Sequence, residues 1–130
     1  MSEKIQNIRY KRDAIVFRTL NSGAVEYFIV NGIHPATGNI LCTDLKTGIN
    51  LRMDKQDLTP FWLQTGDYIM DNDLRFKIKN FERSEVKATG EIGVMMRLII
   101  QDFNGDGEER ITPIIYADHF VLCDEKGRLL

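Results

Sequence analysis

The stretch from Glu91 to Tyr116 constrains the fold more than any other part of this sequence. Its first arm, residues 91–103, is apolar and partly β-branched, and its second arm, residues 108–116, is again rich in strand-forming residues. The segment Asn104–Gly107 separates the arms and consists of residues that tolerate positive φ. Two such arms around an Asn-Gly/Asp-Gly centre predict a β-hairpin.

The rest of the chain repeats this alternation of short strand-like segments and turn residues. The segment Leu74–Lys79 alternates most cleanly, with Leu74, Phe76 and Ile78 predicted to face inward, and Phe81 breaks the pattern in a way that predicts a bulge after Asn80. No long segment shows the 3.6-residue period of a helix. The pattern is therefore typical of a mainly β fold, a single antiparallel small barrel or sandwich with at most short helical turns.

The strand–turn pattern, with Gly66 and Asp67 leading into a strand, is similar to SH3-like and OB-type small barrels. The resemblance implies an architecture only, because such folds carry many functions. Pro60 excludes a central strand at its position, and Pro113 places the second hairpin arm at a sheet edge or a bulge.

The 130 residues favour one β domain over residues 1–130. Residues 1–11 form a polar arm or a short helix in this interpretation, and the polar loop of residues 83–90 is the weakest internal seam. The formal charge of −2 gives no bias toward nucleic acid or an anionic membrane.

Both cysteines, Cys42 and Cys123, stand in apolar, strand-like segments and are interpreted as reduced core thiols. The N-terminal residues contain no apolar signal-peptide core, and no run approaches the roughly 20 apolar residues of a membrane span. We therefore expect a cytoplasmic protein without a membrane partner, located in the host cytoplasm if the gene is viral.

The hairpin tip matches the first half of a calcium-binding loop. Its oxygen-bearing residues recur at alternate positions, but Pro113 stands where a bidentate acid is needed. The weak metal candidates are Asp102, Asn104, Asp106 and Glu108. The acidic tip is therefore interpreted as a surface turn, and no metal or other cofactor is predicted.

Zinc and hydrolytic sites have little support in the sequence. The residues of suitable type, His34, Cys42, His119 and Cys123, lack the closely spaced ligand pairs of a structural zinc site. His119 adjoins Asp118, which is able to orient an imidazole, but no nucleophile elbow or HExxH pattern is present. A metal-dependent or hydrolytic enzyme stays open as a third alternative, without a catalytic residue assigned.

A nucleic-acid-binding small barrel is the second alternative. Arg75, Lys77 and Lys79 lie on the outward side of the alternating strand, and Trp62 and Tyr68 are candidate stacking platforms for bases. The acidic total charge and the ability of lysines to protect strand edges favour a simpler, solvated face.

The first hypothesis is a non-catalytic binding module. The hairpin carries apolar residues on both faces, so that one face covers the core and the other is free to meet a protein partner or a second copy. These candidate partner-binding residues are Met95, Met96, Phe103, Ile114, Ile115 and Tyr116.

Overall fold

The computed structural model describes residues 10–101 and 107–130, which form ten β-strands and two short 3₁₀ helices. The strands lie in two five-stranded sheets in which every neighbouring pair runs antiparallel. The predicted mainly β, antiparallel fold is therefore confirmed. The chain divides into two compact units, Met1–Trp62 and Leu63–Leu130, and each sheet belongs to one unit.

Each sheet has two edge strands, so the described residues form no closed barrel. The small-barrel alternative is therefore not found in a closed form in this part of the chain, and the likeness to SH3-like and OB-type barrels stays a prediction. The sandwich alternative and the single domain over residues 1–130 stay predictions. Residues 1–9 of the predicted N-terminal arm lie outside the described residues.

The first unit contains one sheet and one 3₁₀ helix. Its elements are β1 (Ile15–Thr19), β2 (Val25–Ile33), β3 (Ile40–Asp44), β4 (Asn50–Met53), η1 (Lys55–Asp57) and β5 (Thr59–Pro60). The strand order is β4-β3-β2-β1-β5, so Pro60 lies on an edge strand, which confirms that it does not interrupt a central one. The carboxylate of Asp44 stabilises the β3–β4 turn by accepting the backbone N–H of Lys46 at 2.7 Å and of Thr47 at 3.1 Å.

One face of the first sheet carries the hydrophobic core of its unit. Along β2, Phe28 and Val30 are fully buried, whereas Tyr27 and Ile29 on the opposite face are half-buried, as the alternation predicts. The Tyr10 hydroxyl donates a hydrogen bond to the carbonyl of Leu58 at 2.8 Å and ties the segment before β1 to this core. The core residues are Tyr10, Ala14, Val16, Phe28, Val30, Ile40, Cys42, Met53 and Leu58.

The second unit is built around a long hairpin. Its elements are β6 (Tyr68–Asp71), β7 (Leu74–Glu85), β8 (Ile92–Ile100), β9 (Glu109–Pro113), η2 (Ile114–His119) and β10 (Val121–Cys123). The strand order is β10-β6-β7-β8-β9. The predicted pairing of the two hairpin arms is confirmed as β8–β9, and Pro113 ends the edge strand β9. The hairpin tip, residues 102–106, lies outside the described residues.

The pairing of β7 with β8 differs from the prediction in two places. The register shifts between Ile78 and Asn80, so the bulge lies just before Asn80 and not after it. β7 then continues to Glu85, which pairs with Ile92, so the predicted loop over residues 83–90 is confirmed for residues 86–90 and is wrong for residues 83–85. The polar composition suggested a loop, but backbone pairing with the apolar strand β8 holds these residues in the sheet.

The second hairpin arm is shorter than predicted. The chain leaves the sheet after Pro113, and the residues from Ile114 to Tyr116 belong to the 3₁₀ helix η2 instead of a strand. In a 3₁₀ helix, residues three apart lie on the same side. Ile114 and Ala117 share one side and are both buried, so packing decides the conformation against the β propensity of Ile-Ile-Tyr.

Phe28 provides a test of the first core. We expect Phe28→Ala to lower the free energy of unfolding by about 3–5 kcal/mol, because it removes a fully buried aromatic ring and leaves a cavity. Urea denaturation followed by circular dichroism measures this loss. Ile49→Ala truncates a side chain that is 57% exposed and should change the stability by less than about 0.5 kcal/mol. Equal losses for both variants would contradict the assigned core.

Candidate functional site

The helix η2 presents the most exposed part of the predicted partner-binding set. Its side chains divide into a buried and an outward group, since Ile114 and Ala117 are buried while Ile115 is 69% and Tyr116 is 48% exposed. The ring of Tyr116 lies 5.5 Å from the ring of His119, which is three residues further and on the same side of the helix. We call Ile115, Tyr116 and His119 the η2 surface.

Packing beneath η2 holds this surface in place. Phe120, directly after the helix, is buried, and its ring meets the ring of Phe76 on β7 edge to face with centroids 5.9 Å apart. The backbone N–H of Phe120 donates a hydrogen bond to the carbonyl of Ala117 at 3.1 Å and closes the helix. The η2 surface is therefore carried by a short helix that is anchored at its first residue and just beyond its last.

The other predicted partner-binding residues are not on this surface. Met95, Met96 and Ile114 are only 6%, 0% and 3% exposed, so they contribute to the interior and do not offer a surface to a partner. Phe103 lies outside the described residues. The hypothesis of an apolar hairpin face is thus corrected to two residues, Ile115 and Tyr116, which the structure places on a helix after the hairpin.

The predicted basic strand face is largely engaged within the second unit. Lys79 forms an ion pair with Glu109, and Arg75 donates a hydrogen bond from Nη1 to the backbone carbonyl of Glu125 at 2.8 Å. The ammonium of Lys77 lies 5.7 Å from the centroid of the Tyr68 ring, so that these two candidates come together. The remaining candidate, Trp62, is 45% exposed and belongs to the first unit.

Arg97 on β8 joins this face to two acidic residues, an arrangement that the sequence analysis missed. Its Nε donates to Glu82 Oε1 at 2.9 Å, and its Nη1 donates to Glu109 Oε2 at 3.1 Å. With the contact between Lys79 and Glu109, the four side chains form a chain of opposite charges across β7, β8 and β9. This network depends on the pairing register of three strands, and local sequence patterns do not reveal that register.

The charged network shifts the pKa values of its members in the directions expected for ion pairs. The hydrogen bond from Lys79 is the main cause that lowers the pKa of Glu109, and Arg97 adds to it. The hydrogen bond to Glu82 is the main cause that raises the pKa of Arg97. These shifts follow from contacts that hold neighbouring strands together.

The candidate metal and hydrolytic residues are dispersed. Asp102, Asn104 and Asp106 lie outside the described residues, and Glu108 is exposed. Within the described part of the chain, no three His, Cys, Asp or Glu side chains lie close enough together to hold a metal ion. The imidazole Nδ1 of His34 accepts a hydrogen bond from the backbone N–H of Ala36 at 3.3 Å, a local turn contact.

The two cysteines are free and buried. Burial raises the pKa of the Cys42 thiol to about 11 and also raises the pKa of Cys123. A thiol with a raised pKa is a poor nucleophile at neutral pH, because the thiolate is the reactive form. Both residues therefore act as small apolar side chains, in line with their interpretation as core thiols.

Comparison with known proteins adds no relative. A scan against protein-family models finds no match, and a search of curated protein sequences finds no significant match. Over residues 10–101 and 107–130, no helix has the length and apolar character needed to span a membrane.

The ion-pair network predicts a pH dependence of stability. Because the pKa of Glu109 is lowered in the folded chain, its contribution is present above the ordinary pKa of 4.5 and is lost as the pH falls through the folded value. We expect Glu109→Gln to reduce stability at neutral pH and to flatten the loss of stability between about pH 6 and pH 3. Thermal unfolding at a series of pH values measures both effects.

Glu108→Gln is the matched control for this prediction. Glu108 is the exposed neighbour of Glu109 and forms no ion pair with the described residues. Its variant should keep the pH profile of the unmodified chain. A Glu109→Gln profile that coincides with the unmodified one would show that the network contributes nothing measurable.

Proposed function

We propose that this chain is a non-catalytic binding module that engages a protein partner through the η2 surface. The observation that carries the proposal is the exposure of Ile115, at 69%, beside the half-exposed ring of Tyr116 on a helix with a buried underside. Single exposed apolar residues are common on protein surfaces. Two adjacent ones on an anchored helix form a ready contact for another protein.

The η2 surface has the composition and rigidity of a protein-binding contact. Tyrosine is enriched in the centres of protein interfaces, where its ring gives a large contact area with few rotatable bonds. Ile115 adds an aliphatic side chain, and Asp118 and His119 supply a polar rim. Because Ile114 and Phe120 already hold the helix, little conformational entropy is lost when the surface binds. The partner chemistry that fits is an apolar pocket or patch with a polar border.

The shifted pKa values do not point to catalysis. The pKa of Asp124 is lowered mainly by the backbone N–H of Arg128, with the Arg128 guanidinium adding to it, so this shift belongs to a tight turn. The shifts of Arg97 and Glu109 belong to the ion-pair network. Burial explains the shifts of the two thiols. Burial also raises the pKa of Tyr27, so each of these shifts has a structural explanation.

The nucleic-acid alternative has weaker support. Phosphate binding requires cations that are free to replace counterions. Two of the cations near the predicted face, Lys79 and Arg97, are ion-paired with Glu109, and Arg97 also with Glu82.

The proposal also includes a cytoplasmic location, which agrees with two free and buried thiols.

Substitutions on the η2 surface test the proposed function. We expect Ile115→Asp to weaken partner binding by roughly tenfold or more. In the complex, the substitution replaces an aliphatic side chain that the partner covers by a charged one that loses its water. The measurement is quantitative recovery of cross-linked partners from cell extract by mass spectrometry, followed by titration of each recovered partner with purified chain.

Ile49→Asp is the matched control, because Ile49 is also exposed, at 57%, but lies in the first unit. A partner that both the unmodified chain and Ile49→Asp recover, and Ile115→Asp does not, supports the proposal. Equal recovery by all three chains would reject the η2 surface. Recovery of nucleic acid in place of protein, with an affinity that falls steeply as salt rises, would favour the alternative function.

A further inference from the structure

The edge of β7 that faces away from β8 has no neighbouring strand at residues 83–85 within the described part of the chain. β6 pairs with β7 only as far as Lys77, and the loop residues Gly66 and Asp67 complete the bonding at Ile78. Beyond Ile78, the edge of β7 that faces β8 stays paired with β8 up to Glu85. At residues 83–85, the outer edge, which faces away from β8, is thus left open to a further strand. Such an edge is a template for another strand.

The backbone orientation identifies which residues are available at this edge. The N–H of Val86 donates to the carbonyl of Glu91 on the other side of the hairpin at 2.7 Å. In an antiparallel pair, successive residues direct their backbone groups alternately toward the two neighbouring strands. Ser84 therefore bonds inward to β8, as Val86 does, while Arg83 and Glu85 direct their N–H and C=O groups outward.

The side chains of these two residues are also unused. Arg83 and Glu85 are both exposed and, two positions apart, lie on the same face of the strand. Neither forms an ion pair with any described residue. Their situation contrasts with Glu82 and Arg97 on the other face, which are paired with each other. The edge thus offers two opposite charges at neighbouring hydrogen-bonding positions.

We propose that a second copy of this chain pairs antiparallel with the outer edge of β7, about a two-fold axis that passes through Ser84. In this register Arg83 of each copy lies opposite the partner's Glu85. Residues directly opposite each other in an antiparallel pair point to the same side, so each Arg–Glu pair forms a cross-strand ion pair. The same positions exchange backbone hydrogen bonds, two for each of the two residue pairs.

Repulsion between like charges disfavours the neighbouring registers of the two copies. Side chains of the two copies match in direction only when the axis passes through a residue. An axis through Glu82 places two glutamates opposite each other, and an axis through Arg83 places two arginines opposite each other. Like charges in directly opposite positions are destabilising. The charges that protect this edge from other strands therefore select one partner, a second copy in the Ser84 register.

This self-association is independent of the η2 surface, so one proposal can fail while the other holds. The experiment is analytical ultracentrifugation of the full chain over a range of concentrations, with R83E, E85R and the double variant R83E/E85R. We expect the unmodified chain to form dimers and each single variant to dimerise roughly tenfold more weakly, because two ion pairs become two repulsions. The double variant exchanges the charges and should return to within about threefold of the unmodified chain.

A mixture of R83E and E85R gives the sharpest result. One strand then carries two acids and the other two arginines at the pairing positions, so the mixture should form heterodimers although each variant alone is monomeric at the same concentration. Lys126→Glu reverses a charge in an exposed turn outside β7 and should leave dimerisation unchanged. Circular dichroism confirms that each variant is folded.

Three outcomes would overturn the proposal. The first is an unmodified chain that stays monomeric at every concentration. The second is single variants that dimerise as well as the unmodified chain does. The third is a failure of both the double variant and the mixture to restore association, while circular dichroism shows folded protein.

Discussion

The antiparallel ladder between β7 and β8 is the interaction on which the second unit depends. It places Phe76 and Ile78 of β7 beside Ile100 and Leu98 of β8 on the buried face. The ladder also fixes the position of every element that follows. β9 pairs with the outer edge of β8, and the chain then leaves the sheet as η2. The core, the charged network and the exposed helix are all consequences of this one pairing.

The two faces of that ladder have different roles. On the outer face, charged residues neutralise one another, as Arg97 does between Glu82 and Glu109. Exposed ion pairs of this kind contribute modestly to stability, but they order the strands and occupy the cations. The apolar contact surface is instead carried by η2, through its exposed residues Ile115 and Tyr116. A strand with basic outward residues in the sequence is thus part of a surface on which positive and negative side chains are paired in the folded chain.

The sequence predicted those features that depend on local alternation. The period of two identified Phe76 and Ile78 as inward residues of β7, although Leu74 at the start of the strand is exposed. The turn residues identified the hairpin of β8 and β9. Proline was also informative, because Pro113 lacks the N–H that a central strand needs and indeed lies on an edge strand. In each case the physical cause acts over a few residues, so a short window of sequence contains it.

The features that were missed depend on contacts between distant residues. Met95 and Met96 are adjacent, so alternation requires one to face each side, and only the structure shows that both sides are covered. The β-prone segment at the start of η2 becomes helical because Ile114 and Ala117 fit into the interior. The partners of Arg97 are brought together by register, 15 residues away in the case of Glu82 and 12 in the case of Glu109.

The bulge at Lys79 has a consequence for how this chain can vary. Before the bulge, odd-numbered residues such as Lys77 lie on the outer face of β7, and after it even-numbered residues such as Glu82 do. Deleting Lys79, the extra residue, would remove the bulge and leave both faces as they are, because Ile78 and Phe81 would then be two positions apart and would still point inward. Losing one residue between Phe81 and Glu85 would instead exchange the two faces for the remainder of the strand, so the bulge is the position at which β7 tolerates a change of length.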